Sequence, residues 1–240
     1  MDIDVKGVFI PTYVINMKNR KDRLAHIKNQ FLNKAEFDVK IIDACVDNIG
    51  AVGLWKSIVK IVTMADEAQD DVIIICEDDH EFTSHYNSEY LIGNIAEASI
   101  QGADILSGGI GGFGYAVPIA RNRFWVDFFW CTQFIVVYRK FFSRILEVEF
   151  KETDTADGIL SKMSDFKMTM YPFISIQRDF GYSDVTERNN KKNGVMEEYF
   201  RSSNARLNRI SIVSNFFNYQ ADNAVGLNSL AIKKMLGVDS

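Results

Sequence analysis

An α/β domain with a mostly parallel central sheet flanked by helices is the fold class this sequence predicts, on two observations. Val72 to Cys76 is apolar, rich in β-branched residues and far too short for a membrane span, so it reads as a buried strand of a parallel sheet. Ahead of it, strand-like and helix-like patterns alternate as βαβα, which implies right-handed crossovers between parallel strands.

The elements follow in order. Val8 to Ile15 is β-rich, with Pro11 confining the strand proper to Tyr13-Val14-Ile15 or bending what precedes it. Asn16 to Arg23 then opens a helix whose apolar face is Leu24, Ile27, Phe31 and Leu32. Phe37 to Asp43 forms a second strand, and Val52, Trp55, Ile58 and Val62 recur at helical spacing with Trp55 in the core. After the Val72 strand, His85 to Ala98 reads as a helix and Ala103 to Ser107 as a strand. Gly108 to Gly114 holds five glycines in seven residues; without a following helix or Gly-Lys-Ser/Thr it is no phosphate loop, and it reads as a mobile active-site loop. The aromatic segment Arg121 to Trp130 packs mainly against the sheet, leaving Trp125 or Trp130 as a sugar-stacking candidate. Phe134 to Tyr138 is a buried strand, Arg139 to Val148 a helix, and Thr153 or Asp154 caps a further helix that starts near Asp157. Thr169 to Gln177 returns as an edge-like strand, Glu187 to Asn193 is a polar linker, and helical pieces follow Val195.

Composition excludes several function classes. The chain has 240 residues, 47% hydrophobic and 25% charged, which suits one ordinary globular domain with an appended C-terminal piece. A net charge of −5 gives no electrostatic case for nucleic acid. Cys45, Cys76 and Cys131 are scattered and odd in number, which suggests a reducing compartment rather than a disulfide framework or zinc site. The N-terminal residues lack a signal-peptide pattern and no apolar run reaches spanning length, so the expectation is a cytoplasmic protein without a transmembrane segment.

The chemistry concentrates where the Val72 strand ends, in Glu77-Asp78-Asp79. Ligands of open α/β sheets collect outside the carboxyl ends of the strands. Three adjoining acids repel one another and lose hydration there, unless a divalent cation or a set of donors compensates them. Extended geometry would put Glu77 and Asp79 on one side and Asp78 on the other, one acid for a metal and a neighbour for a sugar or ribose hydroxyl. A strand ending in solvated acids is the plain alternative. Arg20 and Arg23, in the first turn of a helix that follows a strand, suit a diphosphate, or else they form a solvated basic helix start.

Tyr13-Val14-Ile15-Asn16-Met17 with Arg20 and Arg23, then Gly50-Ala51-Val52-Gly53 with Ser57 ahead of the strand that ends in Glu77-Asp78-Asp79, resembles glycosyltransferase family 25, the lipopolysaccharide biosynthesis-type glycosyltransferases. Similar pieces continue through Trp130 to Tyr138, Asp157, and Pro172 to Ser183-Asp184, so the resemblance spans residues 8 to 186. It implies a GT-A-like nucleotide-diphospho-sugar transferase fold, with a catalytic domain over residues 1–190 and a helical extension, 191–240, packed on it. The implied reaction is inverting, metal-dependent transfer of a galactose- or glucose-type hexose from a UDP-sugar. The acceptor would be a saccharide of a surface polysaccharide or lipopolysaccharide. A lipid-linked acceptor would bring peripheral contact at the inner face of the membrane, although no basic amphipathic helix argues for it.

Carried over, Asp79 and Asp78 are the ligands of Mn²⁺ or Mg²⁺. Glu77 and Asp78 lie near the ribose or donor sugar, and Asn16, Arg20 and Arg23 near the nucleotide. Inversion requires a carboxylate to take the acceptor's proton. Asp157 is the first candidate, with Asp184 and Asp127 behind it, against a plain helix-start charge for Asp157. Two departures stand out: Ser57-Ile58 where the family often has Ser-His, and Asp157-Gly158 where it often has Asp-His. A nucleotidyltransferase acting on a sugar phosphate would want a glycine-rich basic loop after the first strand, whereas Asn16 to Arg23 contains no glycine. A catalytically degenerate nucleotide- or carbohydrate-binding module is the non-enzymatic alternative.

Overall fold

The structure is a computed structural model and describes residues 7–181 and 194–223, with side chains to 217 in the last helix. Eight strands form one sheet: β1 (Ile10–Asn16), β2 (Phe37–Asp43), β3 (Val72–Glu77), β5 (Ile105–Ser107), β6 (Ala116–Ala120), β7 (Arg123–Val126), β8 (Phe134–Tyr138) and β9 (Lys167–Met170). Their order is β2-β1-β3-β8-β5-β9-β7-β6. β8 runs against both β3 and β5, and β7 against both β9 and β6, so the other six strands share one direction. Most strands are therefore parallel in direction, yet four of the seven neighbouring pairs are antiparallel.

The helices are α1 (Lys21–Gln30), α2 (Gly50–Glu67), α3 (Ser88–Ile100), α4 (Phe142–Glu147) and α5 (Ala156–Met163). In α2, Ala51, Trp55, Ile58, Val62 and Ala65 are buried at alternating spacings of four and three, the stripe a sheet-facing helix needs. Trp55 stacks on Phe150 at 5.0 Å, as its core assignment required. Ser57 is structural: its hydroxyl donates to the Gly53 carbonyl and accepts the Cys45 amide, both at 2.8 Å. Gly53 is required there because a Cβ would lie 2.7 Å from the Cys45 carbonyl oxygen.

Two expectations are corrected. The segment from Thr169 to Gln177 is not one edge strand. β9 ends at Met170 inside the sheet, and beyond Pro172 the chain makes β10 (Ser175–Gln177), which pairs with β4 (His80–Phe82) in a second, two-stranded sheet. Proline cannot donate to a ladder, so the strand breaks there. Gly108 to Gly112 is not a mobile loop, because all five residues are buried. Cβ atoms at Gly108, Gly109, Gly111 and Gly112 would collide with Phe134, Ser175, Cys131 and Trp130 respectively, so these glycines allow close packing rather than motion. By compactness the chain divides into units Met1–Asn204 and Ala205–Ser240, with the boundary inside α6 (Val195–Asn223). The cause lies in the first turns of α6, where Met196, Phe200 and Ser203 are buried. No helix among the described residues is long and apolar enough to cross a membrane.

Candidate active site

The parallel register of β1 and β3 sets Ile15 opposite Glu77, so both strands end level at one edge of the sheet. Asn16 therefore meets Asp78, its amide donating to Oδ2 at 2.8 Å. The first turn of α1 brings Arg23 beneath the same point. Its Nη1 lies 3.1 Å from Asp78 Oδ1 and 2.9 Å from Asp79 Oδ2. Arg20 stands 4.0 Å from Asp78 Oδ1, at the limit of an ion pair, and its side chain is 13% exposed. Gln177 on β10 donates to Asp79 Oδ2 at 3.1 Å.

The acids do not alternate as an extended strand would place them. β3 ends at Glu77 and the chain turns through Asp78 and Asp79, so both aspartates converge on Arg23 while Glu77 points elsewhere. Guanidinium and amide donors supply the compensation expected of a cation. Both oxygens of Asp78 accept hydrogen bonds, from Asn16 and from Arg23. Asp79 keeps a single buried oxygen, Oδ1, without a partner. Among the described residues, no three His, Cys, Asp or Glu side chains group closely enough to hold a metal ion. The described carboxylates do not by themselves form a ligand set for Mn²⁺ or Mg²⁺. Arg23 is buried and pairs with both aspartates.

Glu77 lies on the other side of β3, beside β8. Because β8 is antiparallel, the residues that precede it arrive at the carboxyl end of β3; Thr132 donates to Glu77 Oε1 at 2.7 Å and the Glu77 amide donates to the Gln133 carbonyl at 3.1 Å. Burial pushes the Glu77 carboxyl up to about 8, with the Asp79 charge adding to the rise and the Thr132 hydrogen bond opposing it. Burial raises Asp79 to about 6 against the opposing pull of Arg23. Glu77 and Asp79 are thus the groups at this edge whose protons are in play near neutrality.

Asp157 joins the same site. Thr155 caps α5 by accepting the Gly158 amide, and Asp157 in the first turn accepts the Cys131 amide at 3.0 Å and the Gly158 amide at 2.8 Å. Both of its oxygens hold backbone, so it fixes the loop ahead of β8. Cys131 in that loop has φ +78°, a left-handed conformation that a non-glycine residue holds only where its surroundings enforce it. Asp127 staples a turn, its Oδ1 accepting the amides of Gly114, Tyr115 and Phe128. Asp184 lies outside the described residues.

Thr132, Cys131 and Gln177 went unrecognised in the sequence. The one signal for the first two was the direction of β8: an antiparallel strand there would have returned its leading residues to Glu77. Of the two candidate tryptophans, Trp125 donates to the Asp165 carbonyl at 2.7 Å, whereas Trp130 immediately precedes Cys131 at the site.

No family model matches this chain. No curated protein matches it either. Among solved structures it is similar to an apo UDP-glucose pyrophosphorylase, with 10% identity over 83% of this chain and 82% of that chain and a TM-score of 0.44. It is also similar to a protein from Bacillus anthracis, in complex with sucrose, assigned as a glucose-1-phosphate thymidylyltransferase, with 14% identity over 74% of both chains and a TM-score of 0.35. At these scores the likeness assigns no activity to this chain.

Proposed function

We propose that this chain is a transferase of the nucleotide-sugar class that moves a galactose- or glucose-type hexosyl group from a UDP-sugar to a saccharide acceptor, with inversion. The observation that carries this reading is Glu77. It is a partly buried carboxylate at the carboxyl end of β3, oriented by Thr132 and titrating near neutral pH. A general base works best with a pKa near the operating pH and within reach of the proton it takes. Glu77 therefore replaces Asp157 as the acceptor's base, and Asp157 becomes a positioning residue.

In the step proposed, an acceptor hydroxyl oxygen bonds to the sugar's C1 while the bond from C1 to the diphosphate oxygen breaks. The hydroxyl proton passes to Glu77, and UDP leaves with the electron pair. Arg20, in the turn between β1 and α1, is the guanidinium proposed to meet that diphosphate, beside the amides that open α1. The family resemblance supplies the donor class and a polysaccharide or lipopolysaccharide acceptor. Without a fitting ligand set, no step is routed through a metal.

The alternative is nucleotidyl transfer to a sugar phosphate. Against it, the turn after β1 has no glycine and is filled by the guanidinium and carboxylate cluster.

The test is calorimetric titration of UDP, with and without Mn²⁺, into the wild type and Glu77→Gln, followed by incubation with UDP-galactose or UDP-glucose and saccharide acceptors. UDP binding in both proteins, with UDP released only by the wild type, is the expected result. Pyrophosphate formation from UTP and a hexose 1-phosphate would transfer the assignment to the alternative. Absence of UDP binding under every condition would remove the donor class.

A further inference from the structure

The loop that Asp157 and Glu77 hold between them presents an aromatic surface with no part in the chemistry above. Trp130 is 48% exposed although it is large, apolar and anchored on both sides. Its amide donates to the Gly112 carbonyl at 3.1 Å, and its carbonyl accepts the Gly111 amide at 3.0 Å. A Cβ on Gly112 would run into the six-membered ring of Trp130, so the indole lies directly against the glycine's α-carbon. The first turns of α6 complete the setting. Tyr199, 39% exposed, meets Trp130 edge to face at 5.8 Å, while Ser203 donates to the Gly111 carbonyl at 2.9 Å and fixes the helix there.

An indole seated this firmly could have been buried against the sheet, as Phe129 beside it is. Instead, half of it faces solvent. Trp130 lies two residues before Thr132, the hydrogen-bond partner of Glu77, with the left-handed Cys131 between them. The acids that hold its loop, Glu77 and Asp157, present acceptor oxygens, so the surface disfavours an anionic ligand. A neutral ring with an apolar face and a hydroxylated rim suits both the indole and its carboxylate neighbours. The sheet order places β3 between β1 and β8. Asn16 and Arg20 lie on the β1 side and Trp130 on the β8 side, so the aromatic surface is across Glu77 from the nucleotide end.

We infer that Trp130, edged by Tyr199, is the platform on which the acceptor's pyranose ring stacks, its reacting hydroxyl turned toward Glu77. This rests on the nucleotide-sugar transferase reading for the name of the ligand as an acceptor, but the stacking itself is testable without turnover. Burial of one aromatic face by a sugar ring contributes on the order of a tenfold gain in affinity.

The experiment follows the three tryptophan indole N–H resonances by NMR, with Trp130 assigned through Trp130→Phe. Methyl β-galactoside, methyl β-glucoside and lactose are titrated to millimolar concentration with UDP present, and UDP affinity is measured separately by calorimetry. The expected result is that at least one saccharide shifts the Trp130 resonance and leaves Trp55 unmoved. Its affinity should fall about tenfold in Trp130→Ala and less in Trp130→Phe, with UDP affinity unchanged. Gly112→Ala, which displaces the ring without removing it, should weaken the saccharide similarly; thermal melts of all three variants establish that they fold. UDP binding with no saccharide reaching Trp130 would overturn the platform and leave the donor reading intact. Equal saccharide affinity in the wild type and Trp130→Ala would also overturn it. Saccharide stacking without UDP binding would uphold the platform and remove the transferase reading.

Discussion

The hydroxyl of Thr132 donates to Glu77 Oε1 across 2.7 Å, joining the end of β3 to the loop ahead of β8. That bond orients the carboxylate and opposes the rise that burial imposes on it. Replacing Glu77 by Gln keeps the size and removes the proton acceptor, so turnover should fall by about 10²–10⁴ while UDP affinity is retained. Thr132→Val removes only the bond, and the acidic limb of the pH–rate profile should move to higher pH. An unmoved limb would mean that another group titrates in the reaction.

Stability should carry the same signature. Glu77 is held at about 8 and Asp79 at about 6 in the folded chain, against 4.5 and 3.8 ordinarily. A raised pKa means that the folded state binds more protons, so the contribution is fully present below the ordinary value and is lost as pH rises through the folded one. Urea unfolding of the wild type and Glu77→Gln, compared at about pH 5 and about pH 9, should show the gap shifting in favour of the Gln variant at the higher pH. A gap constant with pH would contradict the raised carboxyl.

Asp157 accepts the Cys131 amide at 3.0 Å, a bond an Asn side-chain oxygen can also make. As a positioning residue, Asp157→Asn should keep kcat within about tenfold of the wild type, while Asp157→Ala loses the loop and much of the rate. If Asp157 were itself the base, Asn and Ala would be equally inactive, and steady-state kinetics on the pair separates the roles.

Arg23 compensates two buried aspartates at once. Arg23→Met removes the guanidinium the two share, leaving Asp78 to Asn16 and Arg20 and Asp79 to Gln177, and should destabilise the fold by about 3–5 kcal/mol. Adding Asp79→Asn removes one of the two charges and should recover part of that loss. Additive losses in this double-mutant cycle would show that the pair is not coupled.

Gly109 lies against the Ser175 carbonyl, which sits well inside contact distance of any Cβ placed there. Because that neighbour is backbone, Gly109→Ala should cost about 1–3 kcal/mol in chemical denaturation. A neutral substitution would restore the mobile-loop reading of this glycine run.

Local pattern was enough for the sheet-and-helix class, the β3 strand, the α2 stripe with Trp55 inside it, and the gathering of carboxylates at one strand end. These follow from side-chain period and burial, which act over a few residues. Partnership was decided only by the tertiary structure. Nothing local says that β8 runs antiparallel, yet that direction brings Thr132 to Glu77 and leaves Asp157 holding the Cys131 amide. Nothing local says that Arg23 takes both aspartates, since an arginine in a first helical turn serves equally well in water, against phosphate or in an ion pair. The glycine run shows the same division: its composition signals freedom of the chain, and only the surrounding side chains turn that freedom into close packing. Charge compensation and contact depend on what arrives from distant segments, so sequence located the acids and the fold assigned each its partner.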